Sequence, residues 1–340
     1  FADMVGGDYF KFTDHRGVPW KVKFGEFERP STPARGDRWH ADFTIRAELK
    51  PHPSLSKIPS QFHRDLLFYA PLTSNLDAYS RWDPAATFTR STTGTYRNSA
   101  GLMVTAAANV ARHEYSNAGA ALGVLREPSR QNQVLRSEEF DNAAWSKSNV
   151  SVTVDQTAAP DGATTADKIL ETADTGTHLI DQSIAISNNQ DITNSVFAKG
   201  GLGRDYIYIR LETRSGSVIH AWFNITTGAL GTVQTGGTAR IEPWTNGFYR
   251  CSLSINVGAG VSGTTAARTG LADADGVTSY AGDATKGAYL WGAQYELGVD
   301  PSSYIKTTSA AVTRSADSLT YLVTGHLLPN NGVMIAVGDG

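Results

Sequence analysis

The chain has 340 residues, 40% apolar and 19% charged, which is enough for more than one core, because single cores rarely grow past about 250 residues. A net charge of -3 gives no one-sign field to draw in nucleic acid or an anionic membrane, so neither is an expected partner. The single cysteine, Cys251, excludes an internal disulfide framework and a thiolate zinc site, and no apolar run reaches the ~20 residues of a membrane span.

The first fifty residues form a small β-domain. Phe1 stands where Met would, with no basic or apolar leader behind it, which is expected of a processed or trimmed chain. Tyr9–Thr13 and Trp20–Phe24 alternate as strands, and the Asp14-His15-Arg16-Gly17 turn joins them. A third strand is predicted over Arg38–Leu49, after the loop Arg29-Pro30-Ser31-Thr32-Pro33. So short a unit buries little apolar surface, and it is expected to complete a sheet with further strands or a neighbouring subunit.

Residues 51–130 read as linker and connector. Pro51, Pro53 and Pro59 hold Lys50–Ser60 extended, and Leu66–Leu72 is a predicted strand. Phe88–Ser91 and Thr95–Asn98 flank a Thr-Gly turn, and Ala106–Ala111 either starts a short helix or lies extended along a partner.

Residues 131–310 carry the pattern of a β-sandwich. Strands are predicted at Val150–Val154, Asp167–Leu170, His178–Ile184, Ser195–Lys199, Tyr206–Leu211, Ala221–Ile225 and Arg250–Val257. Ile225–Gly231 and Trp244–Tyr249 are hairpin-type connections. In Arg250-Cys251-Ser252-Leu253-Ser254-Ile255 the cysteine shares a face with Leu and Ile, which marks a buried thiol. Phe197, Phe223 and Phe248 are assigned to the core, with Trp145 and Trp291 also buried. Residues 311–340 read as the start of a further β-domain, with strands at Ser318–Val323 and Val333–Val337 around a Leu327–Gly332 turn. The fold class is therefore all-β throughout.

Several separated motifs carry a family resemblance. Phe88-Thr89-Arg90, Thr95-Tyr96, Gly123–Asn132, Ser137-Glu138-Glu139-Phe140-Asp141-Asn142-Ala143-Ala144-Trp145 and Thr307–Asp317 resemble bacteriophage virion proteins of the tail-tip, tail-fibre and head-spike kind. These carry a jelly-roll module similar to carbohydrate-binding modules, and the resemblance spans roughly residues 65–320. It implies a structural virion protein with an adhesion module, on the tail or capsid exterior and in a homo-oligomer among other virion proteins; it identifies no ligand, and a host surface glycan is the candidate partner. Two alternatives stand beside host attachment by a baseplate or fibre component. One is a head-spike, decoration or assembly role without a ligand; the other is a polysaccharide depolymerase, for which no β-helix repeat is visible.

A pyranose needs a flat apolar surface for its C–H face and a few amides or charged groups for its hydroxyls. Tyr206, Tyr208 and Trp222 either line a concave sheet face or pack the core, and Arg210, Glu212 and His220 lie close by in sequence as polar partners. Trp244, Tyr249, Tyr280, Tyr289, Trp291 and Tyr295 are further aromatics of the module. Related jelly rolls commonly hold a structural calcium between first and last strands. Glu138, Glu139 and Asp141 are the candidate ligands here, but the last strand offers Trp291-Gly292-Ala293-Gln294-Tyr295-Glu296 in place of an acidic pair, so no cofactor is expected. Asp273-Ala274-Asp275-Gly276 reads as a solvated turn.

Signatures of catalysis are weak in the sequence, although two carboxylates distant along the chain can still meet in the fold as a glycosidase pair. Gly258–Gly263 matches a dinucleotide pattern only formally, since a strand and not a helix follows it. The eight histidines form no HExxH pair, no GxSxG elbow occurs, and Glu138 and Glu139 are neighbours that point apart on a strand. The expectation is a protein that is not an enzyme.

Overall fold

The computed structural model describes residues 87–260 and 263–320. It also gives the backbone strands Asp3–Met4, Phe10–Thr13, Pro19–Lys23, Glu26–Glu28, Phe68–Tyr69 and Tyr79–Ser80, and the strands Ala86–Thr89 and Ser318–Tyr321 at the two ends of the main stretch. The chain divides into two compact units, Phe1–Thr87 with Leu319–Gly340, and Phe88–Ser318. Among the described residues there is no α-helix, and the all-β reading holds.

In the first unit four consecutive strands from Asp3 to Glu28 form one antiparallel sheet. Phe12 pairs with Trp20 and Phe10 with Val22, so the two predicted strands join across the predicted turn. Of the predicted strand Leu66–Leu72, Phe68–Tyr69 is described as strand. The predicted strands Arg38–Leu49 and Val333–Val337 and the linker Lys50–Ser60 lie outside the described residues.

The second unit is a sandwich of two six-stranded antiparallel sheets. In chain order its strands are β1 Ser146–Ser148, β2 Val150–Ala158, β3 Thr164–Glu171, β4 His178–Ala185, β5 Asp191–Leu202 and β6 Tyr206–Glu212. They continue with β7 Val218–Asn224, β8 Ala229–Val233, β9 Gly237–Pro243, β10 Tyr249–Asn256, β11 Thr264–Ala272 and β12 Gly287–Leu297. The first sheet runs β1-β4-β11-β6-β7-β8 and the second β2-β3-β12-β5-β10-β9.

Period-two alternation places the core between the sheets. Ile207, Ile209 and Leu211 of β6 and Ile219, Ala221 and Phe223 of β7 point inward from the first sheet. Cys251, Leu253 and Ile255 of β10 meet them from the second, and each such buried aliphatic contributes about 1.5–3 kcal/mol. Burial pushes the Cys251 thiol well above its ordinary value, as an inert core residue requires.

The second sheet buries its other face as well. Phe197 and Phe248 leave the inter-sheet core and pack on that outer face with Met103, Trp291 and Tyr304. The Phe197 and Trp291 rings lie 5.5 Å apart and the Trp291 and Tyr304 rings 4.8 Å apart. The hairpin Gly94–Arg97 with Met103–Ala106 brings Met103 there, and Thr95 Oγ1 donates to the Tyr304 carbonyl at 2.6 Å. Gly94–Arg97 therefore pairs forward with Met103–Ala106 and not backward across the Thr-Gly turn, and Ala106–Ala111 forms no helix.

Three of the resemblance motifs, at Phe88-Thr89-Arg90, Gly123–Asn132 and Thr307–Asp317, meet with Arg112 in one buried ion cluster. Arg90 Nη1 lies 3.0 Å from Asp317 Oδ1, Arg112 pairs with the other oxygen of Asp317 and with Glu127 at 2.7 Å, and Arg314 reaches Glu127 at 3.4 Å. The side chains of Arg90, Arg112 and Asp317 have no exposure at all, so each charge depends on its partners. The end of β12 serves the same closure. Glu296 accepts from the Ser302 amide at 2.8 Å and hydroxyl at 2.6 Å, and Gln294 Oε1 accepts from the Ile305 amide at 2.6 Å.

Candidate functional site

On the first sheet, the residues between the inward positions of β6 and β7 point away from the core. Tyr206, Tyr208, Arg210 and Glu212 of β6 and His220 and Trp222 of β7 thus share one face, so the six residues singled out for a ligand lie together. Strand register arranges them in rows. Asp181 of β4, Arg268 of β11, Arg210 and His220 stand opposite one another in a polar row across four strands. Beside it Gly270, Tyr208 and Trp222 form an aromatic row, and Tyr206 stands opposite Ala272 and Asn224.

The aromatic row is a foundation, not an exposed platform. Tyr208 is 1% and Trp222 3% exposed, and they form a small cluster with Ala272 against which Tyr206 packs. A Cβ at Gly270 would collide with the Tyr208 ring, so glycine is what lets that ring lie down on β11. Burial pushes the Tyr208 phenol up to about 12. The loop after β11 meets Trp222, whose Nε1–H donates to the Val277 carbonyl at 2.9 Å. Asp275 ties that loop to β8, accepting from the Thr232 amide at 2.8 Å and hydroxyl at 2.9 Å, while Asp273 pairs with Arg204. The turn Asp273-Ala274-Asp275-Gly276 is exposed, as expected of a solvated turn, and its two carboxylates also anchor the loop. Solvent reaches Tyr206, Arg210, Glu212, His220 and Arg268, all half-buried.

Charges in the polar row are balanced. Glu212 Oε1 accepts from Arg210 and, at 2.8 Å, from Arg268. Arg268 Nε lies 3.9 Å from Asp181. Burial works against the charge of Glu212, yet the Arg268 hydrogen bond and the fields of both arginines outweigh it and hold the carboxyl below its ordinary value. Burial holds His220 below the usual imidazole value; its Nδ1 lies 3.1 Å from Gln234 Oε1 and its ring stacks on Trp222 at 5.2 Å. Sequence reasoning missed Arg268 and Asp181. Their strands are remote along the chain and only the register brings them beside Arg210.

The remaining aromatics lie elsewhere. Trp291 and Tyr295 are buried, Trp244 lies under the Arg97 guanidinium at 3.8 Å, and Tyr280 donates to Glu171 at 2.6 Å. The structure does not gather the three candidate calcium ligands. The Glu138 carboxylate, pushed above its ordinary value by burial, accepts from Tyr304 at 3.0 Å and Lys306 at 2.6 Å. Glu139 pairs with Arg136 at 3.1 Å, and Asp141 is exposed. Among the described residues no group of three His, Cys, Asp or Glu side chains is placed to hold a metal ion. No described helix is long and apolar enough to cross a membrane.

No protein-family model and no curated protein matches the chain. Among solved structures it is similar to the crystal structure of the enzymatically active domain of tailspike protein 4 of bacteriophage CBA120, with 17% identity and a TM-score of 0.31. The match covers 49% of this chain and 21% of that one, so this chain spans about a fifth of that protein's length. One expectation is corrected by it. The reading of this chain as not an enzyme does not stand beside a structural neighbour described as enzymatically active, and it is withdrawn.

Proposed function

We propose that this chain is a bacteriophage tail-associated virion protein whose sandwich holds a host surface glycan on the outer face of its first sheet. The virion assignment rests on the sequence motifs, three of which supply Arg90, Glu127, Arg314 and Asp317 to one buried ion cluster with Arg112. The glycan assignment rests on one observation: the six residues chosen for sugar chemistry share a single face, whereas the chain itself covers the outer face of the other sheet. Tyr206 supplies the apolar surface at the rim, Arg210, Glu212 and His220 supply donors and acceptors, and buried Tyr208 and Trp222 hold that rim in place.

Retention on an array of host surface oligosaccharides tests the reading. The chain is expected to bind saturably, and Tyr206→Ala to lose binding with its unfolding midpoint unchanged. Equal retention by both proteins would remove the glycan from this face. Oligosaccharide released from host polysaccharide by the same preparation would add cleavage to binding. Cross-linking in intact particles tests the virion assignment, with tail proteins as the expected neighbours and head proteins alone as the contrary result.

A further inference from the structure

Resting on the binding reading above, we infer that the ligand of this face is a neutral, polyhydroxylated glycan and not an acidic one. Arg210 and Arg268 stand directly opposite each other on β6 and β11, a pairing of like charges that would be destabilising alone. Glu212 accepts from both guanidinium groups, and Asp181 stands opposite Arg268 on the far side. Two arginines thus meet two carboxylates, and no unneutralised cation is left in the polar row to pull in a uronate or a sialate.

Donor capacity is left over where charge is not. Each guanidinium carries five N–H groups and each carboxylate about four acceptor positions, so Arg210, Arg268, Glu212 and Asp181 offer donors and acceptors side by side. A hydroxyl group both donates and accepts and can use such a mixed surface without displacing an ion pair. A sugar carboxylate would have to replace Glu212 on its arginines or sit beside it, where the two negative charges repel. His220, kept neutral by burial and engaged with Gln234, adds no cation to the balance.

The test uses arrays of neutral oligosaccharides and their uronate-bearing counterparts, read at low and high salt, with the wild-type chain and Glu212→Gln. The wild type is expected to retain the neutral set with little salt dependence. Glu212→Gln, which leaves one arginine unmatched, is expected to bind the uronate set about fivefold more tightly than the wild type at low salt and to lose this gain at high salt. Asp181→Asn makes the same change in charge from another strand and serves if Glu212→Gln fails to fold. Wild-type preference for the uronate set, or no gain in either variant, would overturn the inference while leaving glycan binding intact. Retention of neither set by the wild type would overturn the binding reading and the inference together.

Discussion

The two sheets of the sandwich turn opposite outer surfaces on their surroundings. On the second, Phe197, Phe248 and Trp291 are sealed under Met103 and Tyr304, and Arg250 is buried with its guanidinium bonded to the Ser302 carbonyl and the Ser195 hydroxyl at 2.7 and 3.1 Å. On the first, Tyr208 and Trp222 are equally buried but are flanked by a polar row and a rim tyrosine that solvent reaches. The difference teaches that burial of an aromatic does not by itself assign it to the core. What lies over the ring decides: the chain's own segments on one sheet, and on the other a loop beside half-buried charged groups.

Substitutions can break that contrast, and the largest effect is expected on the covered side. Asp317→Ala strips Arg90, Arg112 and Arg314 of their shared carboxylate, which leaves the buried Arg90 with no ion-pair partner and three guanidinium charges with Glu127 alone. A loss of about 3–5 kcal/mol in denaturant unfolding is expected. Trp222→Ala on the open sheet removes a buried indole and its bond to Val277 and is expected to cost about 3 kcal/mol, whereas Tyr206→Ala above it changes stability by less than about 1 kcal/mol. Equal costs for the two would mean that Tyr206 is structural.

The sheets also differ in the sign of a pH effect. On β3 of the second sheet, burial pushes Asp167 from 3.8 to about 6 although its oxygens accept from the Phe140 and Asp155 amides at 2.9 and 3.1 Å. Its contribution to stability is full below 3.8 and is lost as the pH rises to about 6. Glu212 runs the other way, because its folded value lies below the ordinary 4.5. Its contribution is full above 4.5 and is lost as the pH falls through the folded value. Unfolding of Asp167→Asn and Glu212→Gln across acid pH, each against wild type, is expected to show differences of opposite slope. A small effect of opposite sign is expected between the sheets. Tyr295 is buried with no partner for its hydroxyl, and Tyr295→Phe is expected to raise stability by about 1 kcal/mol in the same unfolding measurement.

Much of this architecture was legible in the chain where alternation is strong. Tyr206–Glu212 and Tyr249–Asn256 place their inward residues where period two puts them, and both were foreseen within a residue or two. Ala229–Val233 and Gly237–Pro243 were not, since both are edge strands that lay only Val233, Ala239 and Ile241, partly buried, against the core, too few apolar positions to betray them. Phe197 and Phe248 were legible as buried but not as members of a second core, because the cover comes from residues around Met103 and Tyr304, distant in sequence. At the candidate site, Tyr206 through Glu212 and His220 with Trp222 could be grouped because a hairpin joins β6 to β7. Arg268 and Asp181 could not, because only long-range register sets them in the row, and the cover over Trp222 depends on the path of the loop after β11.

Amide hydrogen exchange, with and without the oligosaccharide that the array retains most strongly, tests the central claim most directly. Added protection is expected over Tyr206–Glu212, Val218–Asn224 and Thr264–Ala272 of the first sheet, and not over Tyr249–Asn256 of the second. Protection confined to the second sheet, or none at saturating ligand, would contradict the account.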